Sequence, residues 1–239
     1  MSAEALPAGA VPGWLSRLHA GLADRSAAGD VVRQRPGRGG RPAAVLVLVS
    51  GTEVADASVL FVERAHTMRN HPGQLAFPGG GIDEADAGVA DAALREAEEE
   101  TGLDRDDVAV LGVVPAVHVA VSGYDVSAVV GWWHTPGPVG VNDPAEVAQV
   151  VVEPLSELIN SDNRVTVRLR AGYRGPGFWI TDDTGERLLV WGLTAHLLDG
   201  VLDLAGWTRP WDRSREIEVP QRFLRDVRRV AGTNPHDQH

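Results

Sequence analysis

An acidic run at residues 95–100 is the strongest candidate for chemistry in this chain of 239 residues. At 3.6 residues per turn, Glu96, Glu99 and Glu100 fall on one face of a helix. These like charges repel one another, and they lie just before Gly102, where the negative end of the helix dipole already disfavours anions. A divalent cation would reverse both penalties, so this face is a candidate metal site. A solvated acidic helix end is the alternative interpretation.

Three consecutive glycines at positions 79–81 precede the predicted helix. Gly79 and Gly80 carry no side chain, so their backbone amides and carbonyls can approach a ligand closely. A backbone oxygen and three carboxylates together form an all-oxygen ligand set. Such a set suits Mg²⁺ or Mn²⁺, which keep several waters and bridge to substrate phosphates.

A cationic segment lies upstream of the glycines and contains Arg64, His66, Arg69 and His71. The whole chain has a formal charge of −11, so a polyanionic substrate needs a local positive offset of this kind. We expect Arg64 and Arg69 to contact substrate phosphates. The alternative for Arg69 is that it only braces its loop.

Composition excludes several classes of chemistry. The basic residues are 22 Arg with no Lys, and there is no Cys, so a lysine Schiff base, a P-loop lysine, a thiol nucleophile and a cysteine zinc site are all excluded. The acidic balance argues against a nucleic-acid partner. The apolar stretch 108–133 is interrupted by Pro115 and Asp125, which excludes a membrane span, and no signal peptide pattern is seen. We therefore expect a cytoplasmic protein, with a homodimer as a further option.

Hydrophobic patterns predict a chain of mixed strands and helices in the α/β class. Strands and helices follow one another without a regular βαβ alternation, which favours a mixed sheet with helices on its faces. We expect an N-terminal helix and linker at 1–42, a catalytic domain at 43–205 and a C-terminal helical tail at 206–239. The predicted strands are 43–49, 58–62, 108–119, 126–133, 147–152 and 165–169, and the predicted helices are 14–22, 87–101 with Asp86 as N-cap, 191–204 and 219–230.

Residues 95–103 resemble the second half of the Nudix box, G-x5-E-x7-R-E-U-x-E-E-x-G-U, in which U is aliphatic. Every defined position of that half is matched, with Ala97 as the aliphatic residue. In the first half, alignment on Gly81 places Ala87 where the box has Glu. Alignment on Gly80 places Asp86 there instead, with one extra residue before the Arg, and this offset resembles the coenzyme A pyrophosphatase branch of the family.

A second motif of that branch is R-[SA]-x3-R-x3-G-x3-F-P-G-G, and residues 64–80 match it. The three residues 60–62 depart from the Leu-Leu-Thr that usually comes before it. Further similar segments at 123–126, 146–155 and 191–195 extend the resemblance over roughly residues 43–205.

The resemblance implies a Nudix-type α/β/α sandwich with a mixed β-sheet, in which the box forms a loop, a helix and a second loop around Mg²⁺ or Mn²⁺. The implied metal ligands are Glu96, Glu100, Glu99 directly or through a water, and the carbonyl of Gly80. Arg95 would orient Glu99 and pair with Asp86 or Asp83. Glu146 matches a Glu of the branch and is the candidate general base, with Glu99 or a metal-activated water as alternatives.

The implied reaction is hydrolysis of a small-molecule nucleotide substrate, in which a nucleoside diphosphate is linked to another group. The first hypothesis is coenzyme A or acyl-coenzyme A, giving 3′,5′-ADP and (acyl-)4′-phosphopantetheine. Hydrolysis of ADP-ribose, NADH or a dinucleoside polyphosphate is the enzymatic alternative. A nucleotide-binding module without turnover is the alternative from a different class, although such a module need not keep three mutually repelling Glu side chains.

Overall fold

The computed structural model describes residues 10–24, 36–68, 71–120, 122–169, 172–182 and 184–224. Arg69 lies outside the described residues, as do residues 1–9 and 25–35 of the predicted N-terminal segment and residues 225–230 of the predicted C-terminal helix. Within these ranges the chain forms two sheets and four α-helices.

The first sheet has seven strands, with β1 at its centre. The strands are β1 (Arg41–Ser50), β2 (Ser58–Arg64), β3 (Leu75–Ala76), β4 (Gly79–Gly81), β5 (Val108–Val119), β6 (Tyr124–Trp133) and β7 (Val147–Pro154). The order is β3-β2-β1-β6-β5, with β4 also paired to β1 and β7 to β2. β1 runs parallel to β6 over its whole length, while its other pairings are antiparallel. Its continuous apolar run suits a strand that is buried on both faces.

The second sheet has four strands in the order β10-β9-β8-β11. These strands are β8 (Arg164–Arg168), β9 (Arg174–Thr181), β10 (Arg187–Val190) and β11 (Glu216–Glu218). β8 agrees with the strand predicted at 165–169. β9 and β10 were missed, because β9 begins with a segment of Gly and Pro that reads as a loop.

The helices cover the first sheet on both faces. They are α1 (Ser16–Ala23), α2 (Val89–Thr101), α3 (Leu155–Leu158) and α4 (Gly192–Ala205). α2 packs its alanine-rich stripe against Leu46 and Leu48 of β1. α1 and α4 pack together with Val47 and Val49, which point to the opposite face. The mixed sheet between two helical layers confirms the expected α/β class.

The start of α2 differs from the expectation. Asp86 is not its N-cap, because the helix begins at Val89 after Gly88. The Asp86 carboxylate instead accepts hydrogen bonds from Arg95 on the second turn of the helix. The C-terminal end agrees with the expectation, since Gly102 adopts a left-handed conformation at the C-cap.

The predicted helix 219–230 is wrong over its described part, residues 219–224. A short 3-10 turn at Gln221–Phe223 follows Pro220, and β11 lies just before it, paired in parallel with β8. Val219 and Phe223 are buried against the second sheet. Packing of these side chains outweighs the helical spacing of the sequence, so this part of the tail belongs to the second sheet.

Candidate active site

Arg95 joins the glycine turn to α2. Its guanidinium donates two hydrogen bonds to Asp86, at 2.8 and 3.1 Å, and one to the carbonyl of Gly81 at 3.1 Å. Its Nη1 donates to Glu96 at 3.0 Å and to Glu99 at 3.1 Å. These bonds raise the pKa of Arg95 and lower the pKa of Asp86. Arg95 therefore holds the turn and two of the three carboxylates in one arrangement.

Gly80 lies directly against the carboxylate of Glu96. A Cβ at position 80 would lie 2.5 Å from the Cδ of Glu96, so no other residue fits here without movement. Gly79 is equally constrained, because its φ of 154° belongs to the region that favours glycine and a Cβ would collide with the carbonyl of Ala44. Gly79 is thus required by its backbone conformation and by the neighbouring backbone, whereas a side chain at position 80 would displace the end of the Glu96 side chain.

Glu100 is the buried member of the acidic face, with 3% of its surface exposed. Its Oε2 accepts a 3.0 Å hydrogen bond from the Gly79 backbone N–H. Burial raises the pKa of Glu100 to about 8, in spite of that hydrogen bond and of the positive charge of Arg64. Burial also raises the pKa of Glu96, although Arg95 opposes this effect.

Glu146 and Arg64 act electrostatically on the same carboxylates. The negative charge of Glu146 raises the pKa of Glu96 and of Glu100, whereas Arg64 lowers the pKa of Glu100. The two segments meet because the Ala65 N–H donates to the Glu146 carbonyl at 2.7 Å. The Nε of Arg64 is buried and has no hydrogen-bond partner within the described ranges. Arg64 and Glu146, which are 82 positions apart, thus converge on the acidic face.

Glu99 is the most exposed of the three acids, with 57% of its side chain accessible. It turns toward Arg95 instead of toward Glu100. Among the described residues, no three His, Asp or Glu side chains already form a metal-binding group. The expected triad is therefore only partly assembled.

The residues nevertheless fit a divalent cation. Two carboxylates are held in a site where burial and the negative charges of neighbouring carboxylates raise both pKa values, which is the environment that a cation would relieve. All available donors are oxygens, and the turn beside them has no side chains to block access. Glu99 would complete the set if it left Arg95.

Asn142 is a site residue that sequence reasoning missed. Its side chain donates to the Glu99 carbonyl at 3.0 Å, and its backbone N–H donates to the Glu100 carbonyl at 3.1 Å. The Gly140 N–H likewise donates to Thr101. These bonds satisfy carbonyls at the end of α2 and attach the loop that carries Glu146 to the acidic face. No local pattern signals this contact, because its partners are about forty positions apart.

None of the helices in the described ranges is long and apolar enough to cross a membrane.

Comparisons with known proteins show the family of this chain. The family model for the NUDIX domain matches residues 40–170, which is more than half of the chain. A relative from Cronobacter sakazakii, named uncharacterized Nudix hydrolase NudL, is 36% identical over 158 residues, which cover 66% of this chain and 79% of the relative. The protein of the same name from Escherichia coli strain SMS-3-5 is 35% identical over the same shares of both chains.

A solved structure is also similar to this chain. It is a Nudix hydrolase from M. smegmatis, RenU, with 24% identity and a TM-score of 0.40 over 47% of this chain and 69% of that chain. The family match and the NudL relatives together show that the expected Nudix fold is correct. The chain belongs to the Nudix hydrolase family, whose enzymes cleave phosphoric anhydride bonds in nucleoside diphosphate-linked substrates and generally use divalent metal ions.

Proposed function

We propose that this Nudix hydrolase cleaves coenzyme A or acyl-coenzyme A into 3′,5′-ADP and (acyl-)4′-phosphopantetheine, with Mg²⁺ or Mn²⁺. The observation that carries this proposal is the meeting of two motifs at one site. The positive charge of Arg64, at the start of the upstream motif, lowers the pKa of Glu100 at the end of the box. The Gly79 N–H donates a hydrogen bond to the same carboxylate. A substrate diphosphate at the acidic face would therefore lie within reach of the upstream cationic segment.

The cation would be held by Glu96 and Glu100, by Glu99 directly or through a water, and by the carbonyl of Gly80. When bound, it would polarise the phosphoryl oxygens and offset the negative charge that develops on the departing phosphate. Arg95 keeps the glycine turn and Glu96 in place for this role.

Residues around the proposed metal site carry out proton transfer and bind the substrate. A water attacks one phosphorus, the bridging P–O bond breaks, and the proton of the water passes to the carboxylate of Glu146. Glu146 suits this role because it is exposed and lies on a loop that Asn142 attaches to the end of α2. Arg64 and Arg69 bind the substrate phosphates, with Gly79 and Gly80 as backbone contacts.

A substrate panel tests the proposal directly. The purified chain is assayed with coenzyme A, dephospho-coenzyme A, ADP-ribose, NADH and a dinucleoside polyphosphate, each with Mg²⁺ and with Mn²⁺, and the products are identified by mass spectrometry. We expect coenzyme A to have the highest kcat/KM and to yield 3′,5′-ADP. If the protein hydrolyses ADP-ribose or dinucleoside polyphosphates but not coenzyme A, the proposed substrate is wrong, while the diphosphatase activity stands. Binding without turnover of any substrate would favour the non-catalytic module.

A further inference from the structure

An open cleft lies at the C-terminal end of α4, beside the first turn of α1. Its volume is about 500 Å³, which is within the range of small-molecule pockets. The lining residues that carry charge, a hydroxyl or an aromatic ring are Arg17, Asp203, Thr208, Arg209, Trp211 and Arg213. We call this feature the arginine cleft.

The arginine cleft has more positive than negative charge. Its only carboxylate among these residues, Asp203, accepts a hydrogen bond from the hydroxyl of Thr208. In the part of the chain that the structure describes, the guanidinium groups of Arg17, Arg209 and Arg213 form no ion pair and no hydrogen bond. Within the described ranges, their hydrogen-bond donors therefore have no protein acceptor and face the cleft as groups that a ligand can use.

Arg17 also removes an obstacle to anion binding. Its guanidinium packs against Gly206, the C-cap of α4, so closely that a Cβ at Gly206 would collide with it. The C-terminal end of a helix is negative and would otherwise repel an anion. The Arg17 charge offsets that end.

A fourth guanidinium lies beneath the cleft. Arg164 is 1% exposed, and its Cζ lies 4.2 Å from the ring centre of Phe178 and 4.7 Å from that of Trp211. It forms an ion pair with Asp199, but its Nε is buried without a partner in the described residues. The four Arg of this region outnumber Asp199 and Asp203, in a chain whose formal charge is −11.

The cleft is separate from the candidate active site. α1 and α4 pack on the face of the first sheet that Val47 and Val49 form, whereas α2 with its acidic residues packs on the opposite face. A ligand in the cleft would therefore contact none of the box residues.

We propose that the arginine cleft binds a small phosphorylated ligand, recognised through its phosphate group. Guanidinium groups form charge-assisted, bidentate hydrogen bonds with phosphate oxygens, and three of them line this cleft. The strongly negative charge of the whole chain disfavours an extended polyanion, so the ligand is a small molecule and not a nucleic acid. Inorganic phosphate and a nucleoside monophosphate share this chemistry.

Calorimetric titration of the full chain with inorganic phosphate and with AMP, in EDTA and low salt, tests the proposal. The test variant is the double substitution Arg209→Ala/Arg213→Ala. The matched control, Arg38→Ala/Arg168→Ala, removes two exposed arginines outside the cleft and leaves Glu216 paired with Arg174. Circular dichroism and thermal melts verify that both variants are folded.

We expect saturable binding by the wild type and the control, with affinity at least about tenfold weaker in the cleft variant, the size of effect that losing one charged hydrogen bond produces. Equal affinity for the two ligands would show that the protein recognises the phosphate alone. Tighter binding of AMP would show that it contacts the nucleoside as well. Absence of saturable binding to the wild type up to about 10 mM would overturn the proposal. Equal losses in the cleft variant and the control would overturn it too, because the effect would then be one of net charge.

Discussion

The backbone N–H of Gly79 donates a 3.0 Å hydrogen bond to the carboxylate of Glu100. This bond joins the glycine turn to the last turn of α2 across 21 positions of sequence. It places a buried acid beside the backbone groups that a substrate phosphate would approach. The bond only partly offsets the cost of burying the charge, because the pKa of Glu100 remains raised to about 8.

Replacing the buried acid should separate folding from catalysis. Glu100→Gln keeps the size of the side chain and removes one proposed metal ligand, so we expect a folded protein whose kcat falls by about 10²- to 10³-fold. Glu98→Gln is the matched control, because Glu98 is exposed on the same helix and pairs with Arg105. Steady-state kinetics at saturating Mg²⁺ measure the effect. A near wild-type rate in Glu100→Gln would show that the metal site is assigned wrongly.

The same substitution should change how stability depends on pH. The folded state raises the pKa of Glu100 from 4.5 to about 8, so it disfavours the charged form. The metal-free wild type should therefore lose stability relative to Glu100→Gln as pH rises between these values, and the difference should level off above about pH 8. Urea unfolding in EDTA from about pH 5 to about pH 9 measures this difference. Parallel stability curves for the two proteins would contradict it.

Adding one methyl group to the glycine turn should disturb Glu96. In Gly80→Ala the new Cβ would lie 2.5 Å from the Glu96 carboxylate carbon, so that side chain must move. We expect a marked loss of kcat and a higher Mg²⁺ requirement, with little change in stability, because the displaced group is the end of a flexible side chain. Gly81→Ala is the control, because nothing lies within 4 Å of a Cβ there. Equal kinetics for the two variants would argue against a role for this close contact.

Glu146→Gln should lower kcat at least about tenfold and alter the acidic limb of the pH–rate profile, because a proton acceptor is lost. Glu218→Gln, on β11 of the second sheet, is an exposed carboxylate for comparison. If Glu146→Gln retains the wild-type profile, Glu146 is not the general base, and the role belongs to Glu99 or to a metal-activated water.

Arg69→Ala should reduce discrimination between coenzyme A and dephospho-coenzyme A. Loss of a charge-assisted hydrogen bond to the 3′-phosphate should cost roughly tenfold to a hundredfold in kcat/KM for coenzyme A. Turnover of ADP-ribose, which lacks that phosphate, should fall less. A uniform decline over all substrates would instead mean that Arg69 braces the loop.

Much of this protein follows from short-range patterns in its sequence. Local geometry alone predicts a helix that carries Glu96, Glu99 and Glu100 and ends at Gly102. The structure has this helix and this end. The strand predicted at 108–119 coincides with β5 for the same reason. Hydrophobic periodicity and glycine conformation are properties of neighbouring residues, so they can be read without the fold.

Tertiary structure decided which of these acids is buried and what each one contacts. Glu100 is enclosed while Glu99 faces solvent and Arg95, although the two are adjacent and chemically identical. Three further features join segments that are distant in the sequence. They are the hydrogen bonds of Asn142 to α2, the parallel pairing of β11 with β8, and the arginine cleft. Such contacts depend on how whole elements pack against one another, and that packing overrides the local preference wherever it buries more apolar surface, as it does for residues 219–224.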